Sequence, residues 1–260
     1  TASSVTISGS AVTINPADFS NSAAVNVEMA AGVFKDLANN NYAGITSSTT
    51  WNFSTAAPAT PTLTRGPYLQ TGTANSIIIR WRSSIATNSK ISYGLSASSL
   101  NLTVTNATSL TEHEMQLTGL LPDTKYYYAV GSTTQTLQGD ADNFFITAPV
   151  VGTEKKTRVW VNGDCGNNST NQKNVRDQYL NFMGTNYTDV WLLLGDNAYE
   201  AGLDTEFQTK FFDIYKNKLL KQTVLWPAPG NHEYNSNSTR ANDHAVPYYD
   251  MFTVPTNAQA

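Results

Sequence analysis

The chain has one cysteine, Cys165, among its 260 residues. A single thiol excludes internal disulfides and zinc ribbons built on cysteine pairs. Charge is also sparse. Charged residues make up 14% and the formal net charge is −4, so no basic footprint for nucleic acid is present. No apolar run approaches the roughly 18 residues of a membrane span. The sequence opens on Thr1 with no initiator Met and no signal peptide, as expected of a mature or excised segment. Thr, Ser, Asn and Gly fill the space that charge leaves, a profile of extracellular β-rich modules. At this length one to two domains are expected, and burying a core is no difficulty.

Against that background one pattern occurs three times in the last hundred residues. A short apolar run ends in Gly, and a side chain of metal-binding type follows. The runs are Val159-Trp160-Val161 before Gly163-Asp164, Val190 to Leu194 before Gly195-Asp196, and Val224-Leu225-Trp226 before Gly230-Asn231-His232-Glu233. Each reads as a buried strand, with helices between. Val175, Tyr179, Phe182 and Met183 have helical spacing, and Gly184 suits a C-cap. Phe207, Phe211, Ile214, Tyr215 and Leu219 mark a second helix, with Asp204 as N-cap. Strand–helix–strand–helix–strand means parallel strands sharing one edge. Asp164, Asp196, Asn231 and His232 then meet beyond the strand ends, where open α/β sheets place ligands. Carboxylates with an amide oxygen are hard donors for metals. Two aspartates and a histidine are also a workable acid–base set.

Gly163-Asp164-Cys165-Gly166, Gly195-Asp196-Asn197-Ala198-Tyr199 and Gly230-Asn231-His232-Glu233 resemble the first three motifs of the calcineurin-like metallophosphoesterases. Most of that superfamily has Asp-x-His in the first motif. Gly166 stands there in this chain, and Tyr199 follows Asp196 by three residues, a trade that is similar to the purple acid phosphatases. The resemblance implies a binuclear centre of Fe(III) plus a divalent ion (Zn, Mn or Fe). Asp164 and Tyr199 would bind the ferric ion, Asp196 would bridge both metals, and Asn231 would bind the divalent ion. His232 would contact the phosphate or the leaving group. Two such metals activate water and clamp the phosphoryl oxygens. The family completes its site with three further histidines from two later motifs, and His113, His232 and His244 stand in neither.

Earlier in the chain, residues 1–57 read as short strands, Val5–Ile7, Ala11–Ile14, Val25–Met29 and Trp51–Ser54. The Lys35-Asp36 turn and the Trp51-Asn52-Phe53-Ser54-Thr55 strand resemble the latter half of bacterial Ig-like modules of the SbsA type. Asp36 and Asn39 read as an Asx-stabilised turn or a calcium site. Residues 58–62 are a linker. Residues 63–148 resemble the fibronectin III-like domain that precedes the catalytic part of plant-type purple acid phosphatases, on Arg65-Gly66-Pro67-Tyr68-Leu69-Gln70 and on a tyrosine-corner turn before Tyr126. Ser76–Arg82 and Ile91–Tyr93 read as separate strands, with Ile77, Ile79 and Trp81 facing the core. Tyr126, Tyr128 and Val130 share one face. His113, between two glutamates, reads as a solvated strand edge, with a metal site as the alternative. Cys165 reads as a small buried filler. Residues 149–157 link to a region over 158–260 that reads as the N-terminal part of a metallophosphoesterase domain. The loop after Glu233 borders the site, which makes Arg240 and His244 candidates to touch substrate phosphate. A solvated loop is the alternative for both.

The expected fold is therefore multidomain, with all-β Ig-like and fibronectin III-like sandwich modules before the first part of an α/β metallophosphoesterase sandwich (αββα). Both ends read as cut. The expected activity is a secreted or cell-surface bacterial phosphoesterase acting on phosphate monoesters. Alternatives are a phosphodiesterase or nucleotidase with the same metals, and a non-catalytic cell-surface binding or spacer protein. The expected partner is a phosphate ester, with no nucleic acid and no transmembrane segment, and with cell-surface association through the Ig-like modules.

Overall fold

The structure is a computed structural model that describes residues 2–235 and 239–255. Of the loop expected after Glu233, residues 236–238 lie outside the described residues, as does the polar run 256–260. Contacts divide the chain into two compact units, Thr1–Thr60 and Pro61–Ala260.

The first unit holds four short strands among its described residues. β1 (Ala2–Ser8) pairs antiparallel with β2 (Ala11–Pro16), and β3 (Ala24–Asn26) with β4 (Asn52–Ser54). The strand expected over Val25–Met29 stops at Asn26, and Met29 makes an isolated bridge to Ile45. Asp36 Oδ1 accepts the Ala38 and Asn40 amides at 2.9 and 2.8 Å, an Asx-type turn. Ile7, Leu37 and Trp51 stay exposed, because four strands offer too little surface to cover them.

The second unit begins as a β-sandwich. β5 (Leu63–Gln70) pairs with the first half of β6 (Ile77–Gly94), and β7 (Leu102–Leu117) pairs along both halves. β8 (Lys125–Gly131) takes the second half of β6, and β9 (Thr136–Gln138) and β10 (Phe144–Ile146) pair with β8. The segments expected as two strands are thus one, and its register slips between Arg82 and Ser89. An irregularity of this kind bends a strand and strengthens its twist. The sheet folds over a core of Ile77, Ile79, Trp81, Ile91, Tyr126, Tyr128 and Phe145, all buried. The Tyr126 hydroxyl accepts the Leu121 amide at 3.1 Å, closing the tyrosine corner.

His113 is not at a solvated edge. It lies opposite Trp81, stacked on the indole at 4.7 Å, with no exposed surface. The Ser83 and Ser89 hydroxyls each meet one ring nitrogen at 2.8 Å. Both nitrogens are taken by hydroxyls, which also removes the metal alternative. Burial holds the imidazole down at about 4.

The α/β part continues the same sheet. β11 (Val159–Asn162), β12 (Val190–Leu194) and β13 (Val224–Ala228) are parallel, and β13 also pairs parallel with the end of β5. The order β10-β8-β6-β5-β13-β12-β11 therefore runs from sandwich to α/β part without a break. Gly72 permits the approach, since a Cβ there would stand 2.7 Å from Val224 Cγ2. Residues 149–157 are irregular, yet 61–260 pack as one unit.

Helix α1 (Thr170–Met183) is capped by Ser169, whose hydroxyl accepts the Gln172 amide, and ends at Gly184. Tyr179 stacks on Trp160 at 4.2 Å and Met183 is buried. Val175 and Phe182, expected on the same covered face, are 57% and 85% exposed. After β12 come α2 (Asp204–Phe207), a π-helical stretch Gln208–Phe212, α3 (Asp213–Tyr215) and α4 (Leu219–Gln222). Phe207, Phe211, Phe212 and Tyr215 fill the core beside Trp191. Val159, Val161 and Leu194 point to the other sheet face and are exposed. Short α5 (Arg240–Asp243) and α6 (Pro247–Met251) follow β13.

Candidate metal centre

The three strand ends meet. Asp164 follows β11 and Asp196 follows β12, both with positive φ near 50° (53° and 52°), so each chain turns sharply and throws its side chain back over the edge. The Asp164 amide donates to the Gly195 carbonyl at 3.1 Å, tying the first turn to the second. Gly230, after β13, packs directly on Asp196. A Cβ on Gly230 would stand 2.2 Å from Asp196 Oδ1, so only glycine fits. The His232 amide donates to that same oxygen at 3.1 Å.

Tyr199 closes the group. Its amide donates to the Gly166 carbonyl at 2.8 Å, which brings the ring back over the first turn. Its hydroxyl lies 2.6 Å from Asp164 Oδ1 and 3.3 Å from Asp196 Oδ2. Burial, then the Asp164 hydrogen bond and the Asp196 charge, push the phenol well above the usual tyrosine range. Without a cation the phenol keeps its proton and donates it to Asp164. Asn231 opens the 3₁₀ turn His232–Tyr234 and is exposed. The His232 ring lies 4.4 Å from that of Tyr199, and its Nδ1 is 2.5 Å from the Glu200 carbonyl. That carbonyl, opposed by burial, raises the imidazole.

Two carboxylates and a phenol converging on one point are the chemistry of a hard-cation site. Among the described residues no three His, Cys, Asp or Glu stand together as a metal group. Arg240 is exposed at the start of α5, and His244 stacks on Tyr249 at 4.2 Å. Cys165 is buried beside the first turn, and burial pushes its thiol up to about 12, which suits a filler rather than a nucleophile.

Sequence reasoning gave no role to Glu233. It has no exposed surface and accepts four backbone amides: Gly230 at 2.6 Å, Asp196 at 2.8 Å, Asn197 at 2.7 Å and Ala198 at 3.2 Å. One carboxylate therefore clamps the second and third turns together. Burial raises it, and the four amides oppose that. Its position as the last residue of the third motif was the available signal. Glu206 was missed as well. It accepts the amides of Ala201 at 2.9 Å and Leu203 at 3.1 Å, three residues into the turn where a capping glutamate belongs. Asp204 is not the N-cap. Leu203 occupies that position, and Asp204 instead meets Arg65 and Arg82.

This chain thus joins a fibronectin III-like β-sandwich to part of a metallophosphoesterase-like α/β fold. Residues 65–147 match the family model described as purple acid phosphatase, N-terminal domain. Among solved structures, purple acid phosphatase PPD1 from yellow lupin (Lupinus luteus) seeds is similar with a TM-score of 0.58 at 19% identity, over 79% of this chain and 43% of that one. PhoD is similar at 12% identity with a TM-score of 0.49, over 78% of this chain and 44% of that one. The fn3 domain of human contactin 1 is similar at 19% identity with a TM-score of 0.27, over 38% of this chain and 86% of that one. The chain spans less than half the length of the lupin and PhoD structures. No curated protein matches it.

Proposed function

We propose that this chain carries part of the metal centre of a secreted phosphoesterase that hydrolyses phosphate monoesters. The observation that carries the reading is the convergence of Asp164 and Asp196 on the Tyr199 hydroxyl, at 2.6 and 3.3 Å, beyond the ends of two parallel strands. In this reading Asp164 and Tyr199 would hold a ferric ion, Asp196 would serve both metals, and Asn231 would hold a divalent ion of Zn, Mn or Fe. When bound, such a pair would supply an activated water and offset charge on the transferring phosphoryl group. The protein's own residues orient and exclude. Glu233 fixes the two turns that carry Asp196 and Asn231. The Glu200 carbonyl orients the His232 ring, which lies 4.4 Å from that of Tyr199 and in this reading meets a phosphate oxygen or the leaving group. Arg240 and His244 belong to the substrate side of this reading. Residues 1–57, as a partial SbsA-type module, would hold the protein at the bacterial cell surface. Among the described residues no helix is long and apolar enough to cross a membrane.

The test is the visible spectrum and iron content of the full-length protein. Tyr199→Phe should abolish tyrosinate-to-iron absorption while the fold persists, and an unchanged spectrum refutes Tyr199 as a ligand. Replacing Asp196 should remove both metals. The isolated segment should bind iron weakly. A second reading, a non-catalytic surface or spacer protein, is supported by the short donor set among the described residues. Full-length protein without stoichiometric metal would decide for it.

A further inference from the structure

The loop that carries Tyr199 is held from the sandwich side. Asp204 lies five residues after Tyr199 and begins α2. Its carboxylate receives Arg82 Nη1 at 2.7 Å on one oxygen and Arg65 Nη2 at 2.8 Å on the other. Both arginines belong to the sandwich, on β6 and β5. Arg65 also donates through Nε to Gln208 at 3.0 Å and lies 4.7 Å over the Phe212 ring, with its side chain fully buried. Glu112 on β7 pairs with Arg82. From Asp204 the hold passes back along the loop. Glu206 accepts the amides of Glu200, Ala201 and Leu203, and Lys210 bonds both Glu206 and the Tyr199 carbonyl. The backbone of Tyr199, Glu200, Ala201 and Leu203 is thus bonded to Glu206 or Lys210, and Asp204 to the two arginines.

We propose that Arg65 and Arg82 position the Tyr199 phenol against Asp164 and Asp196 through Asp204, so that the sandwich is a working part of the site and not a spacer. A contact meant only to join two parts would be apolar, because burying a guanidinium costs several kcal/mol unless it is paired (about that much,). Arginine differs from an apolar contact in direction. Its planar fork fixes the angle as well as the distance of a carboxylate. Arg82 grips both oxygens of Asp204 as a fork, and Arg65 adds Nη2 to one of them and to the Asp204 carbonyl, which leaves Asp204 little freedom, and the short loop passes that restriction to Tyr199. Burial alone would raise Asp204, yet the Arg82 and Arg65 hydrogen bonds hold it at about 2, so the pairing persists across the working range of pH.

The proposal rests on the metal reading only for its spectroscopic part. The experiment uses the full-length protein with Asp204→Asn, which keeps shape and loses charge, and Arg82→Lys, which keeps charge and loses the fork. In metal-free protein, amide hydrogen exchange at residues 199–203 should quicken at least tenfold, with exchange in β8 unchanged. In iron-loaded protein the visible band should shift or weaken at wild-type iron content. Exchange at 199–203 that stays at the wild-type rate overturns the proposal. Equal acceleration across the whole chain also overturns it, because that is general destabilisation. A wild-type protein with no visible band refutes the metal reading instead, and the exchange result then decides the positioning role alone.

Discussion

Glu233 is fully buried and keeps four backbone amides bonded, those of Asn197 and Ala198 buried and those of Gly230 and Asp196 partly so. Removing it strands those donors, and each buried unsatisfied group costs about 1–3 kcal/mol. Glu233→Ala is expected to lower stability by about 3–5 kcal/mol, read as a shift in the urea midpoint at constant slope. His113 gives a second expectation. Its folded value is about 4 and its ordinary value 6.5, so below 6.5 the unfolded chain binds a proton that the folded chain refuses. Stability is then complete above pH 6.5 and falls as pH drops toward 4, by about 1.4 kcal/mol per pH unit. His113→Gln, which keeps a partner for the serines, should flatten that slope in thermal melts between pH 7 and 4.5. The period-two alternation with Met115 and Leu117 was the available signal that His113 faces inward. Glu112 and Glu114 flank it, and it took the pairing with Trp81 across two strands to turn it inward.

The elements themselves were readable where composition decides. The three apolar runs became β11, β12 and β13, parallel and in register, with Trp160, Trp191, Leu193 and Leu225 turned into the core although Val159, Val161 and Leu194 on the other face stay exposed. Gly184 ended α1 as its chemistry requires. The covered faces were less readable. Val175 and Phe182 fit the helical period with Tyr179 and Met183, but only the latter pair has a partner, Trp160 among them. Period assigns residues to a stripe; a neighbouring element decides how wide the stripe is. Asp204 was misread for a similar reason, since an N-cap is a local bargain and the two arginines come from more than a hundred residues away. The turn after β13 supplies a test at this level. Gly230→Ala places a methyl 2.2 Å from Asp196 Oδ1, so the turn must shift. Iron affinity should fall at least tenfold by titration, with a stability loss of about 1–3 kcal/mol.

Across the whole chain, residues 61–260 pack as one unit although the sequence reads there as two modules with a link. The β5–β13 pairing and the Arg65–Asp204 and Arg82–Asp204 bonds join them. Trp81→Ala, a core truncation costing about 3–5 kcal/mol, should therefore raise amide exchange in β12 as well as in β8. Protection of β12 at wild-type rates would show that the two parts unfold separately. From residue order alone came β11, β12 and β13 as parallel strands and the side-chain types brought to their ends, because apolar runs, helical spacing and the Gly-led turns are local patterns. Folding settled which of those side chains touch, that Glu233 and Asp204 are structural anchors, and that the sandwich reaches the Tyr199 loop. Those depend on contacts between residues far apart in the chain, and hydrogen bonds and close packing act only at the distances that tertiary structure creates.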